Sequence, residues 1–205
     1  MLDRRRMLIA SQQGKRLPAE YQEVEYIEVS ANGVGIDINV SIPSTSKITC
    51  VFQNGVNQVQ TTGYYWFFTA GEYGRTFIAF GIRSLTFHCF YTSTSTANPQ
   101  IAAGIQKNEI VFDGNITLNG TIYNTNSGTY RIATPLSVLV APSNMNAVGS
   151  RLFAFQVIND GDILVDLIPC YRKSDNEVGV YDLVSKSFYG NAVGNTGYYI
   201  AGGNI

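Results

Sequence analysis

The sequence is poor in the residues from which most catalytic and metal centres are built. It contains one histidine, one tryptophan and three cysteines in 205 residues, and charged residues make up 14% of the chain. A Ser-His-Asp arrangement would have to use His88, which stands between Phe87 and Cys89, and no Gly-x-Ser-x-Gly motif accompanies it. We therefore predict a half-buried structural histidine, and we expect a protein that is not an enzyme and has no catalytic residues.

The cysteines have neither the number nor the spacing of a disulfide framework or a zinc site. Cys50, Cys89 and Cys170 are an odd number, lie far apart and include no Cys-x-x-Cys pair. They are predicted to be small buried side chains in strands. We expect no cofactor. Calcium binding stays an alternative at "NDGD" (residues 159–162), because carboxylate and amide oxygens are ligands of calcium. The Asp-Gly pair in this motif is equally typical of a tight hairpin turn.

Long apolar segments are also missing. No stretch approaches the ~18–20 apolar residues of a membrane span. After the N-terminal arginines only residues 7–10 are apolar, which is shorter than the ~7–15 residues of a secretory hydrophobic region. The net charge of −1 argues against a nucleic-acid partner, which needs a basic face. We expect a protein that is made in a cytoplasm and has no membrane span.

The charge is distributed unevenly along the chain. Residues 1–16 hold five cations and one anion, a balance of +4, whereas the rest holds nine cations and fourteen anions, a balance of −5. An isolated helix of ~12 residues is marginal in water, so this segment needs a partner to become ordered. We predict a basic docking arm, residues 1–16, followed by one domain, residues 17–205; the alternative is a disordered tail. The residues predicted to make the docking contacts are Arg4, Arg5, Arg6, Met7, Leu8 and Ile9.

Most of the remaining chain shows the pattern of short antiparallel strands. "GIDINVSI" alternates apolar and polar residues with the period of two that is typical of a half-buried strand. Asn119-Gly120 and Asp160-Gly161 are the residue pairs that favour tight hairpin turns. About a dozen such segments, with no helical period after residue 16, predict an all-β fold: an antiparallel two-sheet sandwich.

Two blocks at the ends of the chain resemble a known family. "LPAEYQEVEYIEVS" is similar to its "LP-x-x-Y-x-x-V-E-Y-I" opening, and "DLIPCYRKSDNEVGVYDLVSKSFYGN" is similar to its "F-I-P-C … G-L-Y-D-x-V-x-x-x-F-Y-x-N" close. The family contains a concanavalin A-like (laminin-G-like) jelly roll and occurs in bacteriophage structural proteins and in proteins of gut bacteria. The resemblance covers about 75 residues at the two ends. It departs at "GVGIDINVSI", where the family has "Q-Y-I-D-T-G". It implies the jelly-roll fold and a role in a particle.

Carboxylate pairs and an aromatic segment are the remaining candidate sites. A glycoside hydrolase needs two carboxylates on one cleft, and the candidates are Glu23 with Glu25, Glu109 with Asp113, and Asp160 with Asp162. Exposed strand faces often carry acids, so we disfavour catalysis by these pairs. "YRKSDNE" is read as a solvated turn of mixed charge.

The segment "GYYWFFTAGEYG" could expose aromatic rings for stacking against sugars. The possible glycan-binding residues are Tyr64, Tyr65, Trp66 and Tyr73. Burying such rings in a core stabilises a fold by ~1.5–3 kcal/mol each, so core packing is the favoured alternative.

The family resemblance, taken with the predicted basic arm, implies a non-enzymatic virion structural protein of a bacteriophage: a capsid decoration, head-fibre or tail accessory protein that displays a lectin-like jelly roll. Its expected partners are other virion proteins and, as a second hypothesis, host or mucosal glycans bound by a lectin module; a homo-oligomer is also possible on these patterns. The expected location is the virion, assembled in the host cytoplasm. A glycoside hydrolase is the third and least favoured hypothesis.

Overall fold

The computed structural model describes residues 17–32, 34–43, 45–55, 65–72, 76–83, 86–91, 94–96, 106–113, 115–123, 136–141, 147–191 and 198–205. Within these ranges it contains strands and turns but no helix, and therefore no helix long and apolar enough to cross a membrane. The strands are β1 (Tyr21–Glu23), β2 (Ile27–Val29), β3 (Val34–Asp37), β4 (Lys47–Gln53), β5 (Tyr65–Glu72), β6 (Thr76–Arg83), β7 (Thr86–Tyr91), β8 (Thr94–Thr96), β9 (Lys107–Phe112), β10 (Ile116–Leu118), β11 (Thr121–Tyr123), β12 (Leu136–Ala141), β13 (Arg151–Asn159), β14 (Asp162–Arg172), β15 (Glu177–Asp182), β16 (Ser187–Tyr189) and β17 (Tyr199–Ala201).

The strands form two antiparallel sheets. The larger sheet has eleven strands, with the order β11-β10-β9-β4-β13-β14-β15-β16 and with β1, β2 and β17 joined to it beside this path. The smaller sheet has six strands in the order β3-β12-β5-β6-β7-β8. The prediction of an all-β, antiparallel two-sheet β-sandwich is confirmed.

The core lies between the two sheets and is rich in phenylalanine. Strand β4 alternates half-buried and buried residues along its whole length, as the period of two requires. Phe52 of β4 contacts Phe67 of β5, with ring centroids 4.2 Å apart, and Phe68 of β5 contacts Phe112 of β9 at 5.3 Å. These rings join the sheets face to face, and each buried ring contributes roughly 1.5–3 kcal/mol of transfer free energy.

Two tight turns form where the sequence predicts them. Asn119 and Gly120 both have positive φ (50° and 82°) between β10 and β11, and Asp160 and Gly161 (49° and 92°) do so between β13 and β14. A type I′ turn needs positive φ at both central residues, which asparagine, aspartate and glycine adopt at least cost. Both predicted hairpins are therefore confirmed.

The first and last strands of the described chain complete the larger sheet together. Near their shared hairpin turn β13 and β14 pair with each other, but at their far ends they have different partners. There β13 pairs with β2 (Arg151 with Glu28), and β14 pairs with β1 (Cys170 with Glu23). Strand β17 adds to β2, with Tyr199 opposite Val29. The segment that follows residue 16 is thus built into the sheet.

The described cysteine side chains are buried thiols, as predicted. Cys50 lies on β4 and Cys170 on β14, and both are free and fully buried. Burial raises the pKa of the Cys170 thiol to about 12, with a smaller contribution from the nearby Glu23 carboxylate, and burial also raises the pKa of Cys50. Both thiols are therefore kept protonated and act as small apolar side chains.

Candidate functional site

Most of the sequence-predicted contact residues lie outside the described residues. This holds for residues 1–16, with Arg4, Arg5, Arg6, Met7, Leu8 and Ile9, and for Tyr64 and Tyr73. Of the proposed aromatic platform, Tyr65 and Trp66 are described. Trp66 is half-buried on β5, opposite Val140 of β12.

Tyr65 requires a correction to the proposed platform. Its side chain is fully buried, with its ring 4.9 Å from that of Phe67, so it belongs to the core and cannot stack against a sugar. Burial raises the pKa of its phenol well above the ordinary value, while the neighbouring Ser150 side chain acts in the opposite direction. The hydroxyl is thus neutral and withdrawn from solvent, which leaves Trp66 as the described member with partial exposure.

The candidate acids lie mainly in strand and turn positions. Asp113 follows the end of β9, where its side chain accepts a hydrogen bond from the Asn115 backbone N–H at 3.4 Å. At the β13–β14 turn Asp160 accepts one from the Asn159 side-chain amide at 2.8 Å. In the described ranges, no three His, Cys, Asp or Glu residues are grouped so that they could hold a metal ion. His88 belongs to β7, but its side chain is outside the described part of the structure, so the predicted half-buried structural histidine stays a prediction.

The structure brings the two motif blocks together in a small apolar cluster on the outer face of the larger sheet. We call it the junction cluster. It consists of Leu17, Ile168, Cys170 and Tyr181, which are buried, with Tyr21, Leu183 and Phe188 packed against them. Tyr21 lies 5.0 Å from Tyr181 and 5.4 Å from Phe188, measured between ring centroids. A second core, separate from the one between the sheets, thus holds the N-terminal segment.

An ion network surrounds the junction cluster. The Arg172 guanidinium donates to the Asp175 carboxylate at 2.6 Å and to that of Glu177, and it lies over the Phe188 ring, 5.2 Å from its centroid. Lys173 donates from its side chain to the Ala19 carbonyl at 2.7 Å. Hydrogen bonding to Arg172 holds the pKa of the Asp175 carboxyl below its ordinary value. The "YRKSDNE" segment is therefore a charged turn. Its arginine pairs with acids of the same segment, and its lysine binds the backbone of the N-terminal segment.

A polar and aromatic patch forms elsewhere on the outer face of the larger sheet. We call it the β2–β9 patch. The pairing register aligns one row across five strands, Ile200, Glu28, Arg151, Gln53 and Lys107. Beside this row lie Tyr26 and Phe153, whose ring centroids are 5.4 Å apart.

Ionic and cation–π contacts order the β2–β9 patch. Arg151 donates to the Glu28 carboxylate at 2.6 Å and lies over the Tyr26 ring at 4.3 Å, while the Lys107 ammonium lies 3.9 Å from the centroid of Phe153. Gly202 touches the Tyr26 ring so closely that a Cβ there would lie 2.8 Å from it. The patch therefore presents charged and amide groups around a held tyrosine. Donors, acceptors and an aromatic ring on one surface are the kinds of groups that contact ligands.

Sequence reasoning did not find this patch. The alternation in "EYIEV" places Tyr26 and Glu28 on one face, which is a usable signal. Phe153 gives no such signal, because a register irregularity between Leu152 and Ala154 decides its position.

Comparisons with known proteins assign no relative. The chain matches no family profile, and no curated protein matches its sequence at a significant level.

Proposed function

We propose that the chain is a non-enzymatic structural protein of a bacteriophage particle: a capsid decoration, head-fibre or tail accessory protein. In this proposal the sandwich is a concanavalin A-like jelly roll displayed on the particle, and residues 1–16 are the arm that docks it there. In this proposal the particle is assembled in the host cytoplasm and released by lysis. The resemblance of the two terminal blocks to phage structural proteins suggests this class of function.

The junction cluster is the observation that carries the proposal. Leu17, the first described residue, is buried against the outer face of the larger sheet, and Tyr21 is packed on Phe188. The segment that begins at residue 17 is therefore held rigidly to the domain. A docking arm needs such an anchor, because force or motion transmitted through the arm would otherwise peel away the first strand. The cationic residues 1–16 precede this anchor directly.

Co-sedimentation tests the proposal. Particles that lack this protein are mixed with the full-length chain or with a chain that begins at Leu17, and the bound fraction is measured against protein concentration. We expect saturable binding of the full-length chain and at least a tenfold loss of affinity for the truncated one. Binding of neither chain, with both shown to be folded by circular dichroism, would remove the proposal's support.

The arm's two kinds of contact can be separated in the same experiment. Replacing Arg4, Arg5 and Arg6 by serine tests the charged contacts, and replacing Met7, Leu8 and Ile9 by serine tests the apolar ones. The Lys186→Ala variant is a control, since it removes an exposed cation in the turn between β15 and β16, outside the arm. If the control loses as much binding as the arginine variant, the effect is one of overall charge.

Glycan binding is the second candidate function, and the β2–β9 patch is the observation that favours it. Glu28, Gln53 and Arg151 offer donors and acceptors for hydroxyl groups on one surface, and the Tyr26 ring beneath Arg151 helps to hold them in place. A glycan array probed with the chain that begins at Leu17 tests this function without the arm. Arg151→Ala should abolish any signal and Lys173→Ala should retain it. A signal insensitive to Arg151→Ala would place glycan binding elsewhere.

A further inference from the structure

Within the described part of the chain, strand β11 is an edge of the larger sheet; the side chains of Thr121 and Ile122 are exposed, and that of Tyr123 is half-buried. Among the described residues its one partner strand is β10, with Thr121, Ile122 and Tyr123 opposite Leu118, Thr117 and Ile116. The side chain of Ile122 is 64% exposed, the highest value for an apolar residue within a described strand. An exposed apolar edge is a template for pairing with another chain.

The register shows which backbone groups face the open edge. In a two-residue hairpin the residues that flank the turn exchange both backbone hydrogen bonds, so Leu118 and Thr121 form such a pair across Asn119 and Gly120. The next pair does not, because the two kinds of pair alternate along an antiparallel ladder. The N–H and C=O groups of Ile122 therefore point away from β10.

Two of the devices that usually protect an edge strand, charged side chains and proline, are missing from the sequence around β11. Residues 114–130 contain no charged residue and no proline, although charged side chains and proline are the common means of blocking edge pairing. The uncharged character extends into the sheet along one row. That row consists of Ile122, Thr117, Val111, Thr49 and Gln156 on β11, β10, β9, β4 and β13.

We propose that β11 pairs with β11 of a second copy of this chain, antiparallel and about a two-fold axis at Ile122. This axis places the two Ile122 residues directly opposite each other, where they exchange both backbone hydrogen bonds. It also places Thr121 opposite Tyr123 of the second copy, a pair of the β-branched and aromatic kind that stabilises sheets.

A second copy fits this edge because the interface is self-complementary. A two-fold axis places each residue close to the axis near the same residue of the second copy. Because residues 114–130 carry no charge, this arrangement brings no like charges of that segment together. The pairing would join two larger sheets into one continuous sheet and bury both isoleucines. It requires neither the arm nor a particle, so it stands independently of the proposed function.

Sedimentation velocity over a wide concentration range tests the interface on the chain that begins at Leu17. We expect a dimer that dissociates on dilution. Ile122→Lys should weaken dimerisation at least a hundredfold, because it places two ammonium groups opposite each other. The control Ile163→Lys changes an isoleucine that is 46% exposed on β14, away from this edge, and should dimerise like the parent chain.

Two further variants test the backbone hydrogen bonds and the distance between the two copies directly. Ile122→Pro removes the outward N–H but no hydrogen bond of the β10–β11 hairpin, so it should yield a folded monomer. Ile122→Cys should form an intermolecular disulfide under mild oxidation, since opposed residues in such a pair have Cα atoms about 5.5 Å apart. Ile163→Cys and the parent chain serve as controls.

Each outcome of these experiments either supports or overturns the proposed pairing of β11. A parent chain that stays monomeric at all concentrations overturns the proposal. So does a dimer that survives Ile122→Pro and Ile122→Lys, since its interface must then lie elsewhere. Monomeric behaviour of both folded variants, with cross-linking confined to Ile122→Cys, supports the paired β11 edges.

Discussion

The ring of Tyr21 stacks on the ring of Phe188, with centroids 5.4 Å apart and an interplanar angle of 17°. Tyr21 begins the first strand and Phe188 lies in β16, at the opposite end of the sequence. Because Leu17 is buried in the same cluster, this contact holds the N-terminal segment on the outer face of the larger sheet.

Truncating this contact should destabilise the fold. We expect Phe188→Ala to lower the free energy of unfolding by about 1–3 kcal/mol, less than for a fully buried ring because Phe188 is half-buried. Urea unfolding followed by tryptophan fluorescence measures the change. Val184→Ala, at an exposed turn position nearby, should change stability by less than about 0.5 kcal/mol. Equal effects of the two variants would contradict a stabilising junction cluster.

Asp182 should be more important to stability than its place at the end of β15, where the turn to β16 begins, suggests. It is fully buried, and its carboxylate accepts hydrogen bonds from the backbone N–H groups of Asp166 at 2.9 Å and of Val184 and Ser185 at 3.1 Å. We expect Asp182→Ala to lower the free energy of unfolding by about 2–4 kcal/mol, because it removes three hydrogen bonds to a buried, charged acceptor. Asp182→Asn retains one acceptor and should cost less.

Denaturant midpoints compare these variants. Lys186→Ala, in the same turn but with an exposed side chain, is the control. Should Asp182→Ala be as stable as the control, the three hydrogen bonds would contribute nothing to folding.

Stability should fall as the pH rises above about 8.5, the ordinary pKa of a cysteine thiol. The folded-state pKa of Cys170 is raised to about 12. Between these two values the unfolded chain loses a proton that the folded chain keeps, so unfolding becomes more favourable by roughly 1.4 kcal/mol per pH unit for this group. The contribution is fully present below pH 8.5.

Midpoints of urea unfolding between pH 7 and pH 10.5 test this dependence. Cys170→Ala should reduce the slope by about one proton in the alkaline range. An unchanged slope would show that Cys170 does not titrate differently in the folded and unfolded chains. Cys50→Ala should have a similar effect, because burial raises the pKa of that thiol as well.

The Arg172–Asp175 pair gives a prediction about titration. Arg172→Ala should raise the pKa of Asp175 toward the ordinary value of 3.8, because hydrogen bonding from the guanidinium is the largest cause of the lowered pKa. An NMR titration of the side-chain carboxyl carbons measures the change. Lys173→Ala, which removes the next cation along the chain, should leave it unaltered. A shift of the same size in both variants would instead indicate a general loss of positive charge.

The aromatic segment shows why local patterns could not place every side chain. Simple alternation along β5 puts Tyr65 and Phe67 on one face and Trp66 and Phe68 on the other. In the structure the register shifts between Trp66 and Phe68, and Tyr65, Phe67 and Phe68 are all buried. The position of such a bulge depends on packing against the partner strands and the opposite sheet. The residues within a few positions of the bulge therefore do not predict it.

Local sequence patterns are enough to predict the antiparallel strands and the Asn119-Gly120 and Asp160-Gly161 hairpins, because alternation and positive-φ turn residues act over a few positions. They also predict that the described cysteines lie in strands as buried thiols. The contact of Tyr21 with Phe188, the position of Tyr26 beside Arg151 and the place of Ile122 in the edge strand of the described sheet became visible in the folded chain alone. These relationships depend on strand order and register, which are set by the packing of distant segments against one another and not by the residues adjacent in the chain.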